Sequence, residues 1–248
     1  MQMCFISKYI FAILICLISQ QNFAGHPLRS DDASTIGKRN FQFELTPEFW
    51  KHSDESLLLI PGTITYGILK NLDAVAGIYY SLRYSNAKVD IHGICDIGLE
   101  LKFRLIEFHN FQLALKPGIL LPTGDHSNSL GTGKLGYSFF VIADQQVSSV
   151  LLHLNLGYIR NENRLFEHEN LLYASFATEI PISSELTFVT DAGIITNNDK
   201  SEDGHPAFIL GGIVYSLNKF IDLDLGLQTG LNKYEANLAV LAGITILY

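Results

Sequence analysis

The sequence predicts an all-β protein, an antiparallel up-and-down transmembrane β-barrel of about 12 strands. Three observations carry that expectation. Apolar and polar residues alternate with period two from Phe41 almost to the last residue. The connections between alternating segments sort by parity into long and short. The 248-residue chain is apolar by composition (48% hydrophobic, mean hydropathy +0.20) although its formal charge is -8. After residue 24 it has no run of the roughly 18 apolar residues that a spanning helix needs. Only helices and closed barrels satisfy every backbone group in lipid.

Residues 1–24 read as a signal peptide. Lys8 precedes the apolar run Tyr9 to Ile18, and small residues follow at Ala24 and Gly25, the three-part form of a secretory signal. Ile15 stands before Cys16 where a lipoprotein signal requires a small residue. Cleavage near Ala24 removes one lysine and no acid, moving the charge from -8 to -9, which argues against nucleic acid as a partner. It also removes Cys4 and Cys16. Cys95 is left without a partner for an internal disulfide. Its place on an apolar face predicts a buried or lipid-facing thiol, not a nucleophile.

Residues 25–40 are polar and predict a flexible lead-in, and residues 41–248 the barrel itself. The expected strands are 41–47, 57–69, 73–86, 93–108, 111–122, 137–144, 149–160, 169–180, 185–196, 207–217, 220–231 and 237–248. An even number suits a barrel with both termini on one side, and many segments match the length of a tilted spanning strand. The fourth and fifth show the logic most clearly. Cys95, Ile97, Leu99, Leu101, Phe103 and Leu105 share one face, and Asp96, Gly98, Glu100, Lys102 and Arg104 the other. Leu113, Leu115, Pro117, Ile119 and Leu121 then lie opposite Gln112, Lys116 and Gly118. A soluble sandwich buries the apolar face; an outer-membrane barrel turns it to lipid and the charged face to the lumen.

The long connections are expected at Pro47 to Glu55, Ser85 to His92, Thr123 to Gly136, Arg160 to His168 and Thr196 to Pro206. The short ones lie around Asn71, His109-Asn110, Val147-Ser148, Ile182-Ser183 and Asn218-Lys219. Long external loops and tight periplasmic turns are the asymmetry of outer-membrane barrels, which a sandwich has no reason to copy. Tyr248 ends a strand with Leu238, Val240, Ala242, Ile244 and Ile246 on one face, resembling the signal read by barrel-assembly machinery. That machinery and outer-membrane lipid are the expected partners, and the cell outer membrane the expected location.

With apolar faces toward lipid, the lumen-facing residues follow. Arg83, Asp96, Glu100, Lys102, Arg104 and Lys116 come from strands three to five. His153, Asn155, Glu179, Asp191, Asp222, Asp224 and Gln228 come from strands seven to eleven, with Glu44 from the first. The cations sit on three neighbouring strands, with the later strands' acids opposite. Such opposed charge orients polar solutes and sets ion preference in a water-filled constriction. Alternatively these charges pair and fill a narrow interior, as in small barrels. His153 lacks a visible nucleophile, and a structural histidine is the plainer reading. Motifs for a serine hydrolase, a zinc protease, a cysteine metal site or a phosphate loop are missing. No catalytic residue, metal or cofactor is therefore expected. The stretch Pro122, Thr123, Gly124 and Asp125 opens a glycine-rich loop in which Pro122 ends ladder pairing and Gly124 permits a sharp turn.

Those segments also carry a resemblance. GICDIGLELKFRL, then LALKPGILLPTGD, then GTGKLGY are similar to the outer-membrane barrels named for the meta-pathway of phenol degradation. Asp96, Lys102, Arg104, Pro122, Thr123, Gly124 and Asp125 stand at matching places, and Cys95 replaces the family's second glycine. The likeness runs from Tyr66 to Tyr158, with the barrel pattern alone beyond it. It implies a porin-like transporter of small solutes, aromatic ones among them. Three function classes are thus carried forward: a passive channel without turnover, an outer-membrane enzyme acting on lipids, and a structural barrel with a filled lumen.

Overall fold

The structure, a computed structural model, describes residues 26–52, 55–85 and 88–248; the expected signal peptide lies outside them. Among the described residues fourteen strands form one antiparallel sheet: β1 (Phe41–Leu45), β2 (Glu48–His52), β3 (Glu55–Leu69), β4 (Leu72–Ser85), β5 (Lys88–Ile94), β6 (Ile97–Phe108), β7 (Phe111–Leu121), β8 (Gly136–Val147), β9 (Val150–Arg160), β10 (Asn170–Pro181), β11 (Leu186–Ile195), β12 (Ala207–Asn218), β13 (Ile221–Gly230) and β14 (Leu238–Leu247). One turn of 3-10 helix, His126–Asn128, interrupts the third long loop.

The sheet closes because β14 pairs with β1 (Leu45 opposite Ile244) and with β2 (Leu241 opposite Glu48). β1 and β2 are one wall strand, both pairing with β3. Pro47 divides them because it has no N–H to give the ladder; its carbonyl still accepts from Ala242 N at 3.1 Å. β5 and β6 likewise both pair with β4. The wall is therefore a 12-strand barrel in which two strands are broken.

Two expected long connections are corrected. Pro47 to Glu55 is largely strand, since Glu48 to His52 pairs with Glu55 to Leu59. Ser85 to His92 is also mostly strand, because β5 pairs with Tyr80 to Ser85. Both hairpins extend the wall, so their polar residues reflect solvent exposure and not loop structure. The long loops share one end of the barrel, hereafter the loop end. The short turns, Phe41 and Tyr248 share the other, the turn end.

Period-two alternation persists around the wall. On β13, Leu223, Leu225 and Leu227 are exposed outward (38%, 49% and 56%) while Asp224, Gly226 and Gln228 are buried inward. Cys95 departs from its expected apolar outer face. Ile94 points out, but Cys95 and Asp96 are both buried before Leu99 points out again. The extra inward residue resets the register where β5 meets β6, as a bulge does.

Inward positions are not uniformly charged. Toward the loop end Trp50, Leu57, Leu59, Tyr79, Phe140 and Ile142 pack into a hydrophobic cluster inside the barrel. The alternation rule missed them because it reports only contrast between faces. In Leu57-Leu58-Leu59-Ile60 both faces are apolar.

Candidate functional site: the lumen and the segment inside it

The lead-in expected to be flexible lies inside the barrel, and His26 to Asp31 are buried to the last residue. From β1 the chain turns inward at Arg39, whose N–H donates to Gly67 O at 2.7 Å. It then crosses the lumen, and the wall meets its backbone amides one after another. Ile36 N donates to Asp73 (2.9 Å), Ala33 N to Asp144 (2.8 Å) and Asp31 N to Asn155 Oδ1 (2.9 Å). Ser30 N and Arg29 N both reach Asp191 Oδ2, at 2.6 and 2.7 Å, and Ser30 Oγ reaches Oδ1 at 2.9 Å. A segment without a ladder must satisfy its buried amides some other way. Wall carboxylates and an amide do that here.

Side chains add a second layer. Asp31 is bridged by two lysines, Lys102 Nζ to Oδ1 and Lys116 Nζ to Oδ2, each at 2.8 Å. Lys116 also pairs with Glu100 at 3.0 Å, and Lys102 with Asp32 at 3.6 Å. The Arg29 guanidinium lies over the rings of Phe208 (4.7 Å) and Trp50 (5.2 Å), within reach for cation–π attraction. His26 hydrogen-bonds Asp224. Leu28 inserts into the apolar cluster, a burial that contributes about 1.5–3 kcal/mol.

The wall is shaped for this path. Gly212 and Gly226 sit opposite each other on β12 and β13, and a Cβ on either would stand 2.6–2.7 Å from Pro27. Their missing side chains form a notch that holds the proline ring.

The sequence-derived residues thus divide. Lys102 and Lys116 of the basic side, and Asp191, Asp224, Asn155 and Gln228 of the other, contact the segment, Gln228 accepting from Arg29 at 3.4 Å. Glu100 supports it through Lys116. His153 is held between Asp144 (2.9 Å) and Glu179 (3.2 Å). Both ring nitrogens are engaged by carboxylates, so its role is to order the wall. Arg104 leans toward the turn end, where it pairs with Glu107 at 3.1 Å. Arg83 and Glu44 are buried inward and Asp222 is half-buried. Sequence reasoning overlooked Asp73 and Asp144, although Asp144 is in phase with the inward residues of β8. It also overlooked the segment, whose Arg29, Asp31 and Asp32 complement the wall.

Asp96 and the Pro122–Asp125 stretch have a different task. The Asp96 carboxylate accepts from Gly124 N (2.9 Å), Thr132 N (2.7 Å) and Thr132 Oγ1 (2.8 Å). Asp125 caps the 3-10 turn, accepting from Ser127 N and Asn128 Nδ2; those bonds, the Asn128 one foremost, hold its carboxyl below the usual range. Thr123 Oγ1 accepts from Ile97 N at 3.1 Å. A Cβ on Gly124 would collide with the Leu130 carbonyl, and one on Gly131 with Asp96. The motif therefore ties the third loop down onto the β5–β6 junction, burying Leu130 and Thr132.

A cavity of 170 Å3 remains between the segment and the turn end, bordered by Lys102, Lys116, Glu44, Thr65, Asp73 and Val75 among others. Buried Glu44 Oε1 and Asp73 Oδ1 have no hydrogen-bond partner among the described residues.

The sequence model of the family described as "Putative MetA-pathway of phenol degradation" matches residues 24–248. In fold the chain is similar to the COG4313 outer membrane channel from Pseudomonas putida F1, with TM-score 0.66, 12% identity, and 88% of this chain and 98% of that one covered. It is also similar to the NanC porin, at TM-score 0.61, 8% identity and 82% and 98% coverage. The CymD monoaromatic hydrocarbon channel gives TM-score 0.52, 7% identity and 85% and 88% coverage. No curated protein matches the chain by sequence.

Proposed function

Because the chain belongs to the family described as "Putative MetA-pathway of phenol degradation", we propose that it is an outer-membrane channel admitting small solutes by passive diffusion, aromatic ones among them. The observation that carries this reading is the construction of the lumen. Opposed charged sides line a closed barrel, and the segment that precedes β1, which is not part of the strand ladder, fills the space between them. A barrel whose interior exists only for stability is more simply filled by wall side chains interlocking across the axis. Here the filling is a separate strip of chain, tethered at Phe41 and held by polar bonds and a notch.

The similar structures include proteins described as channels and porins, which agrees with this reading. The apolar outer belt fits lipid, with the loop end outside the cell and the turn end in the periplasm. The strand ending at Tyr248 is the segment offered to the assembly machinery. Passage involves no cofactor and no turnover, and lumen charge sets preference among solutes. The second reading is a structural barrel, in which the segment stays in place permanently. Single-channel recording of refolded full-length protein in planar bilayers, with and without small aromatic acids, separates the two. Discrete conductance steps are expected from the channel; a bilayer that stays silent even for Asp31→Asn would assign the protein to the structural class.

A further inference from the structure

The Lys102–Lys116 pair and the acid lying on it resemble a receptor with its ligand bound. We propose that these lysines form a carboxylate-binding site of the lumen, that Asp31 is its tethered occupant, and that a small free carboxylate displaces Asp31 and draws the segment off the wall. This deepens the channel reading and rests on it only for the consequence of displacement, not for the site.

The geometry is not particular to an aspartate in this chain. Each ammonium takes one carboxylate oxygen at 2.8 Å, a bridging contact that any carboxylate can make. The charge balance points the same way. Among the described residues Lys116 has a wall partner in Glu100, at 3.0 Å. Lys102 takes its ion pairs from Asp31 and Asp32 alone, and its remaining bond, to Asp32 O at 3.0 Å, also comes from the segment. Withdrawing the segment takes both ion-pair partners from Lys102 and leaves it the more distant carboxylates of Asp73 and Glu44 across the cavity. An ammonium that loses its close partner attracts another anion, so the withdrawn state offers a carboxylate the place of Asp31.

Access and size are also set by the structure. The 170 Å3 cavity borders both lysines, well below the roughly 300–1,000 Å3 of sites for drug-sized ligands, which selects compact acids. Glu44 and Asp73 line the same cavity and repel a carboxylate that settles away from the lysines. The site accordingly suits a monoanion with a small apolar body, because the apolar side chains of Val75 and Ile36 also line the cavity.

A tethered occupant competes at an effective concentration in the millimolar range for short flexible links. Removing it therefore exposes the intrinsic affinity. The probe is benzoate, measured by calorimetry on refolded full-length protein, with benzyl alcohol as the neutral control and chloride matched throughout. Benzoate binding at least tenfold tighter to Asp31→Asn than to the unaltered chain, with no binding of benzyl alcohol, is the expected result. Lys102→Gln with Lys116→Gln abolishes it. If that pair fails to fold, Lys102→Gln alone must weaken it tenfold in the Asp31→Asn background.

Displacement is read separately, from maleimide labelling of a cysteine at Ala33, which is fully buried, above the background from Cys95. Benzoate should raise that rate saturably and benzyl alcohol should not. Equal benzoate affinity with and without the Asp31 carboxylate, or labelling indifferent to benzoate, overturns the proposal. Labelling that responds to benzoate in a protein that never conducts leaves the carboxylate site standing and removes the channel.

Discussion

The two sides of the lumen grip the same segment in different ways. The basic side, β6 and β7, holds chiefly one side chain through charge, Lys102 and Lys116 on Asp31, with Lys102 also reaching Asp32. The acidic side, β8 through β13, mostly holds backbone, with Asp191 accepting two successive amides and Asp144 a third. Backbone amides are offered by almost any residue, so the acidic contacts fix a path without fixing a sequence. The lysine pair needs a carboxylate at one position and so fixes which residue stops there. One side is a track and the other a latch. A competing solute can imitate the latch's partner but not a run of amides.

The largest effect expected from this contrast comes from removing the latch. Lys102→Met with Lys116→Met leaves Asp31 buried and without its ammoniums, and removing one partner from a buried pair costs about 3–5 kcal/mol. The segment should leave the lumen while the wall stays closed, because neither lysine side chain is part of the strand ladder. Limited proteolysis within residues 26–36 with an intact 41–248 core is the expected readout. A segment that stays protected would show that the amide contacts suffice, and that the lysines are not a latch.

Weakening the track should do less. Asp191→Ala leaves the Arg29 and Ser30 amides without an acceptor, at about 1–3 kcal/mol for each unmet buried group, but water that enters the vacated space offsets part of this. Asp191→Asn keeps one acceptor oxygen, enough for both amides because they share Oδ2, and should restore most of the protection. Hydrogen exchange at Arg29 and Ser30 tests the pair of variants. Should Asn behave like Ala, the carboxylate's charge, and not its acceptor geometry, would be what holds the segment, and the contrast between track and latch would collapse.

How much of this could be read in advance follows from what produces sequence periodicity. Two solvents on opposite faces impose period two, so the strands and the outward Leu223, Leu225 and Leu227 could be placed before any coordinates. The same rule assigns Lys102, Lys116, Asp191 and Asp224 to the inner face, and all four are buried. It failed wherever the faces do not contrast. Leu57 and Leu59 point into an apolar part of the lumen, and the bulge at Cys95-Asp96 shifts phase by one residue. Residues 26–36 have no period at all, because their amides are satisfied by side chains from strands far away in sequence. A polar stretch satisfied at long range reads the same as one satisfied by water. Only its charge pattern, Arg29 before Asp31 and Asp32, carried a trace of its destination. The Asp96 and Pro122–Asp125 motif was visible as a pattern, but its use, tying down a loop, depends on Gly124 and Thr132 folding back onto Asp96.

The smallest effect tests whether the track has a shape as well as acceptors. Gly226 faces Pro27: an added Cβ would lie 2.7 Å from the proline Cβ and 3.0 Å from its Cγ. Gly211, on the neighbouring strand, has open space around the same position. Gly226→Ala should push the ring out of its notch, at a cost near the low end of the 1–3 kcal/mol typical of overpacking, because a ring at the end of a tethered segment yields more easily than a core. Gly211→Ala meets no such neighbour and reduces the freedom of the unfolded chain, a gain of about 0.4–1 kcal/mol. Each variant adds one methyl group on paired strands, Gly226→Ala inside the barrel against Pro27 and Gly211→Ala on the outer face beside Ile209 and Ile213, so a methyl that meets the segment is set against one that does not. Denaturant titration should therefore separate them by about 1–2 kcal/mol, with Gly226→Ala also raising maleimide labelling of a cysteine at Ala33. Equal stability with unchanged labelling would mean that Pro27 is not seated in the wall, and that the acidic side holds the segment through acceptors alone.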